Sequence, residues 1–162
     1  MTRPLPVILY EDDSVIVAMK PANLAVQTKR IEEEDLCSLL RKHLAQENKK
    51  KQPPYLAPIN RLDQPVRGLV LFAKTRAAAA NLSGQLSSHQ IEKIYRARIF
   101  GQFEKKEGTI RDRLCKDAQT NVSRVTLPSD PEYEMGKDAI LSYEMTGEDT
   151  VKIRLLTGRH HQ

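Results

Sequence analysis

The stretch that decides the fold is residues 60–74, Asn-Arg-Leu-Asp-Gln-Pro-Val-Arg-Gly-Leu-Val-Leu-Phe-Ala-Lys. A charged tripeptide ending in Asp63 leads through a turn at Pro65 into an apolar strand over residues 69–73. Proline suits the turn because its φ is fixed and it has no N–H to donate. The strand is nearly all apolar, so we expect both of its faces to be covered. The pattern would hold the carboxylate of Asp63 at the mouth of a rigid element.

Two interpretations of Asp63 follow from the residues alone. The carboxylate could form an ion pair with Arg61 or cap the turn, which is the commoner situation for an acidic residue. It could also be a functional group held at the end of the strand. Gly68, before the strand, would allow a close approach that a side chain would forbid.

The rest of the chain predicts an α/β (α+β) protein with a mixed, mainly antiparallel sheet and flanking helices. Leucines at helical spacing predict a helix over residues 32–47, whose first turn is crowded with acidic residues. Thr75 can cap a second helix over residues 76–88. Strands are predicted from short β-rich runs. These runs are residues 7–10, 14–19, 69–73, 91–100, 109–114, 139–145 and 151–156.

Length and composition narrow the class of protein. The chain has 162 residues, which suits one domain, and no apolar run approaches the length of a membrane helix. A net charge of +5 favours an anionic partner. Cys37 and Cys115 lie far apart with no metal-ligand spacing, which predicts reduced thiols in a cytoplasmic protein. His43 is predicted to lie at the core boundary, since no second ligand stands at helical spacing from it.

The segment 61–74 resembles the signature of the RluA-type pseudouridine synthases. Three further segments are similar to motifs of that family, in the family's order. They are residues 8–22 with a Lys-Pro turn, residues 93–101 with Lys-x-Tyr-x-Ala, and residues 156–162 with Thr-Gly-Arg-x-His-Gln. The resemblance therefore spans nearly the whole chain.

The resemblance implies the fold of that family's catalytic domain and conversion of uridine to pseudouridine in structured rRNA or tRNA. It implies that Asp63 is the catalytic carboxylate, that Arg61 helps to hold the target nucleotide out of its helix, and that Tyr95 packs on the uracil ring. A phenol suits that role because it has an aromatic face and a polar tip. The family's reaction needs neither cofactor nor metal, and a monomer with no membrane partner is expected.

Basic residues are candidates for contacts with RNA phosphates, since phosphate contacts dominate affinity for nucleic acids. A solvated surface is the alternative for each of them. The candidates lie in the exposed loop over residues 48–58, beside the turn after Asp63, and on one face of the strand over residues 91–100. They are Lys49, Lys50, Lys51, Arg67, Arg96 and Arg98.

The chain departs from the family pattern at Asn60, where many members carry histidine, and at Val66-Arg67, where small residues are usual. It also stops at Gln162, before the arginine that pairs with the catalytic aspartate in the family. We therefore expect residues 1–162 to be a catalytic domain that lacks its C-terminal part, and to be weak or inactive alone. A non-catalytic RNA-binding relic is the alternative. Adjacent histidines at 160 and 161 do not favour zinc, because neighbouring strand residues face opposite sides.

Overall fold

The computed structural model describes residues 4–30, 32–48, 53–101, 103–117, 119–120 and 122–159. The chain divides into two compact units, residues 1–88 and 89–162. Each unit contains a sheet whose described strand pairs are all antiparallel. The predicted α/β class with mainly antiparallel strands is confirmed, and the single catalytic domain stays a prediction.

The sheet of the first unit has the strand order β1-β2-β4-β3. Its strands are β1 (Ile8–Glu11), β2 (Val15–Lys20), β3 (Ala57–Pro58) and β4 (Gly68–Ala73). Strand β3 was not predicted, because residues 48–58 were interpreted as an exposed loop. Leu56 just before it is in fact buried, and a proline is tolerated in β3 because β3 is at the edge of the sheet.

Helix α1 (Leu36–Asn48) begins later than the sequence prediction of residue 32. Asp35 is the reason, because it caps the helix. Its Oδ1 accepts from Ser38 N at 2.7 Å, and its own N–H donates to Ser38 Oγ at 3.0 Å. The reciprocal pair satisfies free N–H groups at the helix start, so the acidic residues precede the first turn and do not occupy it.

The core of the first unit lies between α1 and one face of the sheet. It joins the leucine stripe of α1 to inward side chains of β2 and β4. The expectation that both faces of β4 are covered is wrong: Val70 and Phe72 are fully buried, but Leu69 is 52% exposed and Leu71 is half-buried. The physical reason is that α1 packs on only one face of the sheet that contains β4.

Helix α2 (Arg76–Ser87) follows β4 and matches its predicted bounds closely. Thr75 caps it as expected, since its side chain accepts from Ala78 N at 3.1 Å. None of its residues is buried. No helix in the described ranges is both long and apolar enough to cross a membrane.

The sheet of the second unit has the order β5-β9-β8-β6-β7. Its strands are β5 (Lys93–Arg98), β6 (Glu107–Lys116), β7 (Ser123–Val125), β8 (Lys137–Met145) and β9 (Thr150–Leu155). Strand β7 and the 3₁₀ turn at Tyr133–Met135 were not predicted. Within the described part of this unit, the buried hydrophobic side chains are Ala139 and Val151, so most of its sheet surface is half-buried or exposed.

Asp35→Ala is expected to lower the free energy of unfolding by about 2 kcal/mol, because a cap is lost and the half-buried Thr28 N–H loses the Asp35 Oδ2 acceptor at 2.7 Å. Urea denaturation followed by circular dichroism measures the change. Glu33→Ala is the control, since Glu33 is an exposed acid of the same segment. Equal midpoints for the two variants would show that Asp35 does not cap α1.

Candidate active site

The turn that carries Asp63 is exposed at the end of β4. Both Arg61 and Asp63 are exposed, and Val66 N donates to Asp63 O at 3.0 Å to close the turn. Among the described residues, none forms an ion pair with the Asp63 carboxylate or donates a hydrogen bond to it. The pairing with Arg61 that the sequence left open is therefore not formed, and the carboxylate faces solvent.

Asn60 fixes the chain at the entrance to this turn. Its Nδ2 donates to Leu69 O at 3.0 Å, and its Oδ1 accepts from Leu71 N at 2.8 Å. The side chain therefore continues the hydrogen-bond ladder that Ile59 N makes with Leu71 O. The departure from histidine at position 60 thus has a structural explanation, because an amide supplies both a donor and an acceptor to β4.

Gly68 lets the turn lie close to the strand. A Cβ at position 68 would stand 2.9 Å from Leu62 Cδ1, which is too close for a side chain without movement. Leu62 in turn packs on the core of the first unit. The close approach expected at Gly68 is therefore confirmed, and it seats the residue before Asp63 on the core.

Lys20 lies beneath the turn and was missed by the sequence reasoning. Its side chain is fully buried, and its Nζ donates to Pro21 O at 3.0 Å, Leu24 O at 2.7 Å and Gln64 O at 2.9 Å. Three carbonyl oxygens replace the water of a buried ammonium group. One of them belongs to Gln64, the residue after Asp63, so this lysine ties the Asp63 turn to the Lys-Pro turn.

Burial lowers the pKa of Lys20 from its ordinary value, while the negative charge of Asp63 raises it. The two charges are therefore near enough to interact without forming an ion pair in contact. In the turn that follows Lys20, Asn23 has a left-handed backbone conformation with a φ of 62°.

Tyr95 lies on the half-buried face of β5 in the second unit. Lys93, Tyr95 and Ala97 share this face, and Arg96 and Arg98 lie on the exposed face. The two arginines predicted to contact phosphates therefore point away from the face that carries the predicted uracil-stacking ring. Side chains of successive residues in a strand point to opposite faces of the sheet.

Cations on the exposed face of this sheet are mostly neutralised by acids. Arg98 Nε donates to Asp149 Oδ2 at 2.9 Å, Lys152 lies 3.6 Å from Glu144, and Arg154 lies 3.4 Å from Glu92. A cleft of about 460 Å³ on the sheet is lined in part by Glu107, Glu144, Lys152 and Arg154. Its mixture of signs suits a polyanion less well than an unpaired cationic surface would.

Lys93 and the segment after β9 form a basic corner beside Tyr95. Lys93 Nζ donates to Thr157 O at 3.3 Å, and Arg159 Nε donates to Asp138 O at 2.7 Å. Burial, and then the charge of Arg159, lowers the pKa of Lys93. Lys93 lies on the same face of β5 as Tyr95, and the sequence analysis assigned it no role.

The remaining candidate residues have the following positions. Arg67 is exposed and forms no ion pair within the described ranges. Lys49, Lys50, Lys51 and both histidines at 160 and 161 lie outside the described residues. His43 is 21% exposed and lies 3.8 Å from Glu11, at the core boundary as expected. Where residues are described, no cluster of three or more metal-ligating side chains exists.

A family model described as RNA pseudouridylate synthase matches residues 14–162. The chain belongs to this family. It is 30% identical to the dual-specificity RNA pseudouridine synthase RluA of Escherichia coli K12 over 99% of the chain and 70% of that protein. It is 31% identical to RluA of Vibrio cholerae over 96% of the chain and 60% of that protein.

The solved structure of human RNA pseudouridylate synthase domain containing 4 superimposes with a TM-score of 0.75 at 18% identity, over 96% of the chain and 60% of that structure. This likeness shows the shared fold. The chain thus spans 60–70% of the length of these bacterial relatives. The family resemblance drawn from the sequence motifs is confirmed.

Lys20→Met is expected to lower the free energy of unfolding by about 3 kcal/mol, because it leaves buried carbonyl oxygens without a donor. Denaturation in urea measures the change, and faster amide hydrogen exchange of Val66 would report the loosened turn. Lys42→Met is the matched control, since Lys42 is exposed on α1. If both variants were equally stable, the account of Lys20 as the tie beneath the turn would be wrong.

Proposed function

We propose that this protein isomerises specific uridines in structured RNA to pseudouridine, with Asp63 as the catalytic carboxylate. The observation that carries the proposal is the exposed carboxylate on a turn tied down by Asn60 and by the buried ammonium of Lys20. Membership of the family and the activity for which its relatives are named support it. A nucleotide that arrives from solvent can reach this carboxylate, and the fixed turn holds the carboxylate in one position for the reaction.

The reaction leaves the atomic composition of the RNA unchanged. The bond between uracil N1 and ribose C1′ breaks, the uracil turns, and a new bond joins its C5 to C1′. The proton on C5 leaves and N1 gains a proton, so the product is an isomer of the substrate. A stacked base cannot turn, and the target nucleotide must therefore be flipped out at a cost of a few kcal/mol.

A carboxylate serves this chemistry in either of two ways. The Asp63 carboxylate attacks C1′ to form a covalent ester with the ribose, or it removes a proton from the ribose to assist departure of the base. Both routes use the ionised form of the carboxylate. No cofactor or metal takes part in either route.

The other predicted residues have supporting roles in this proposal. Arg61, exposed two residues before Asp63, holds the target nucleotide out of its helix, and Tyr95 packs on the uracil ring. Lys49, Lys50, Lys51 and Arg67 contact RNA phosphates. Arg96 and Arg98 do so on the face of β5 opposite Tyr95, where Arg98 must exchange Asp149 for phosphate.

The substrate in this proposal is rRNA or tRNA, the relatives' names being those of RNA-modifying enzymes. The protein acts as a monomer in the cytoplasm, where the free thiols of Cys37 and Cys115 stay reduced. Residues 1–162 act as one catalytic domain.

Asp63→Asn is expected to lower pseudouridine formation at least 1000-fold, on the order of the effect of removing a covalent catalyst, and to leave RNA affinity within about threefold. The assay mixes the protein with unmodified rRNA and tRNA transcripts and quantifies pseudouridine by mass spectrometry of nucleosides. Asp13→Asn is the control, because Asp13 is an exposed acid in the β1–β2 turn.

The substrate RNA is found by mapping which uridines lose modification when the gene is deleted. If the wild-type protein forms pseudouridine and Asp63→Asn is fully active, Asp63 is not the catalytic carboxylate. RNA binding with no product from either protein would favour the alternative, a non-catalytic RNA-binding relic. In that case, neutralising Arg96 and Arg98 should weaken binding and flatten its salt dependence.

A further inference from the structure

Tyr55 lies on the surface of the first unit with an arginine stacked on its ring. The Arg76 Cζ stands 6.0 Å from the centroid of the Tyr55 ring, and the tyrosine is 41% exposed. Pro53 and Pro54 come directly before it, and their fixed φ angles restrict the backbone that leads into the tyrosine. Nucleic-acid bases stack both on aromatic rings and on guanidinium planes, so this pair is a suitable surface for a base.

Arg41 of α1 lies against the backbone beside this stacked pair. Its Nη2 donates to Leu56 O at 3.0 Å, and Leu56 directly follows Tyr55 in the chain. In the described part of the chain this is the one hydrogen bond of a guanidinium that has five N–H donors, so the other donors face solvent. A cation held in place before binding loses less entropy when an anion arrives than a freely moving one does.

Neither of these two arginines has a carboxylate partner among the residues that the structure describes. Lys42, the residue after Arg41, differs from it because its Nζ lies 2.6 Å from Glu34 Oε1. Arg76 is the first residue of α2, whose first turn contains no acid, and the helix dipole disfavours a cation at this position. The positive charge of both arginines is therefore available to an anion, and an anion near Arg76 would relieve the unfavourable interaction with the dipole.

The stacked pair lies at the opposite end of β4 from the Asp63 turn. Asp63 comes before Gly68, the first residue of β4, whereas Ala57, two residues after Tyr55, pairs with Ala73, the last residue of β4. The strand extends roughly 17 Å from residue 68 to residue 73. A nucleotide bound at Tyr55 is therefore a different nucleotide from the one that reacts at Asp63.

We propose that Tyr55, Arg76 and Arg41 bind an unpaired nucleotide of the substrate RNA outside the target position. The base stacks against the Tyr55–Arg76 pair, and the phosphate accepts hydrogen bonds from the Arg41 guanidinium, whose fork of donors matches two phosphate oxygens. An aromatic ring beside a cation binds single strands with little sequence preference. That the ligand is RNA rests on the proposed function. Such a site makes binding depend on RNA beyond the target uridine.

The first test compares Tyr55→Leu with Tyr55→Phe in binding a stem-loop RNA whose loop is all uridine and whose ends carry single-stranded uridine extensions. Leucine removes the stacking surface and should weaken binding about fivefold or more, whereas phenylalanine keeps the ring and should bind like the wild type. Tyr10→Leu is the matched control, since Tyr10 is another exposed tyrosine of the first unit, and its hydroxyl donates to Asp12 Oδ2.

The second test separates stacking from charge with the same RNA. Arg76→Lys keeps the charge but loses the planar group, so it should weaken binding without changing the slope of log K against log salt. Arg41→Met removes a phosphate contact and should reduce that slope by about 0.7, the value for one contact on a single strand. Arg30→Met is the control and should keep the slope of the wild type, because Arg30 is paired with Glu33 at 2.6 Å.

The midpoint of thermal unfolding is measured for every variant, and the Tyr55 and Arg76 variants decide the matter if Arg41→Met does not fold. Wild-type affinity for both Tyr55→Leu and Arg76→Lys would overturn the nucleotide site, and so would equal weakening by Tyr55→Leu and Tyr10→Leu. Wild-type protein that binds the stem-loop but yields no pseudouridine would overturn the proposed function instead, and the binding comparisons would still decide the site.

Discussion

The buried ammonium of Lys20 is the interaction on which the candidate site depends. It is fully enclosed, and its three hydrogen bonds connect the Lys-Pro turn, Leu24 and the residue after Asp63. A buried charge is costly unless it is solvated by polar groups, so the surrounding carbonyls must keep their positions. Asp63 can therefore stand exposed at a fixed place without a direct ion pair. The Asp63 charge in turn raises the pKa of Lys20, against the larger lowering that burial causes.

In the second unit, the cations on the two faces of the sheet differ in whether they have acidic partners. Arg98, Lys152 and Arg154 lie on the exposed face with acidic partners, which keeps that surface close to neutral. Lys93 lies on the other face beside Tyr95 and has no acid partner among the described residues. A basic protein therefore need not bind its anionic partner where most of its cations are.

Much of the fold could be predicted from the sequence because it rests on local patterns. The leucine stripe of α1, the Thr75 cap and the alternation in β5 each reflect a single periodicity or cap preference. The start of α1 was missed because Asp35 uses its side chain as a cap, and β3 was missed because its pairing with β4 is set by tertiary contacts.

Sequence reasoning selected Asp63 and Tyr95 as candidates through motifs but missed Lys20, although the alternation of β2 places Ile16, Ala18 and Lys20 on one face. That alternation predicts an inward lysine, yet its three carbonyl partners come from separate parts of the chain and leave no local signal. The exposed face of Leu69 was likewise hidden, because an apolar strand does not show which of its faces a helix will cover.

The most direct measurement is a crystal structure of the Asp63→Asn protein with the all-uridine stem-loop. We predict a uridine flipped out of the loop with its ribose C1′ within about 4 Å of the residue 63 side chain, near enough for attack after a small movement. RNA bound with every ribose far from residue 63 would contradict the central claim that this carboxylate performs the chemistry.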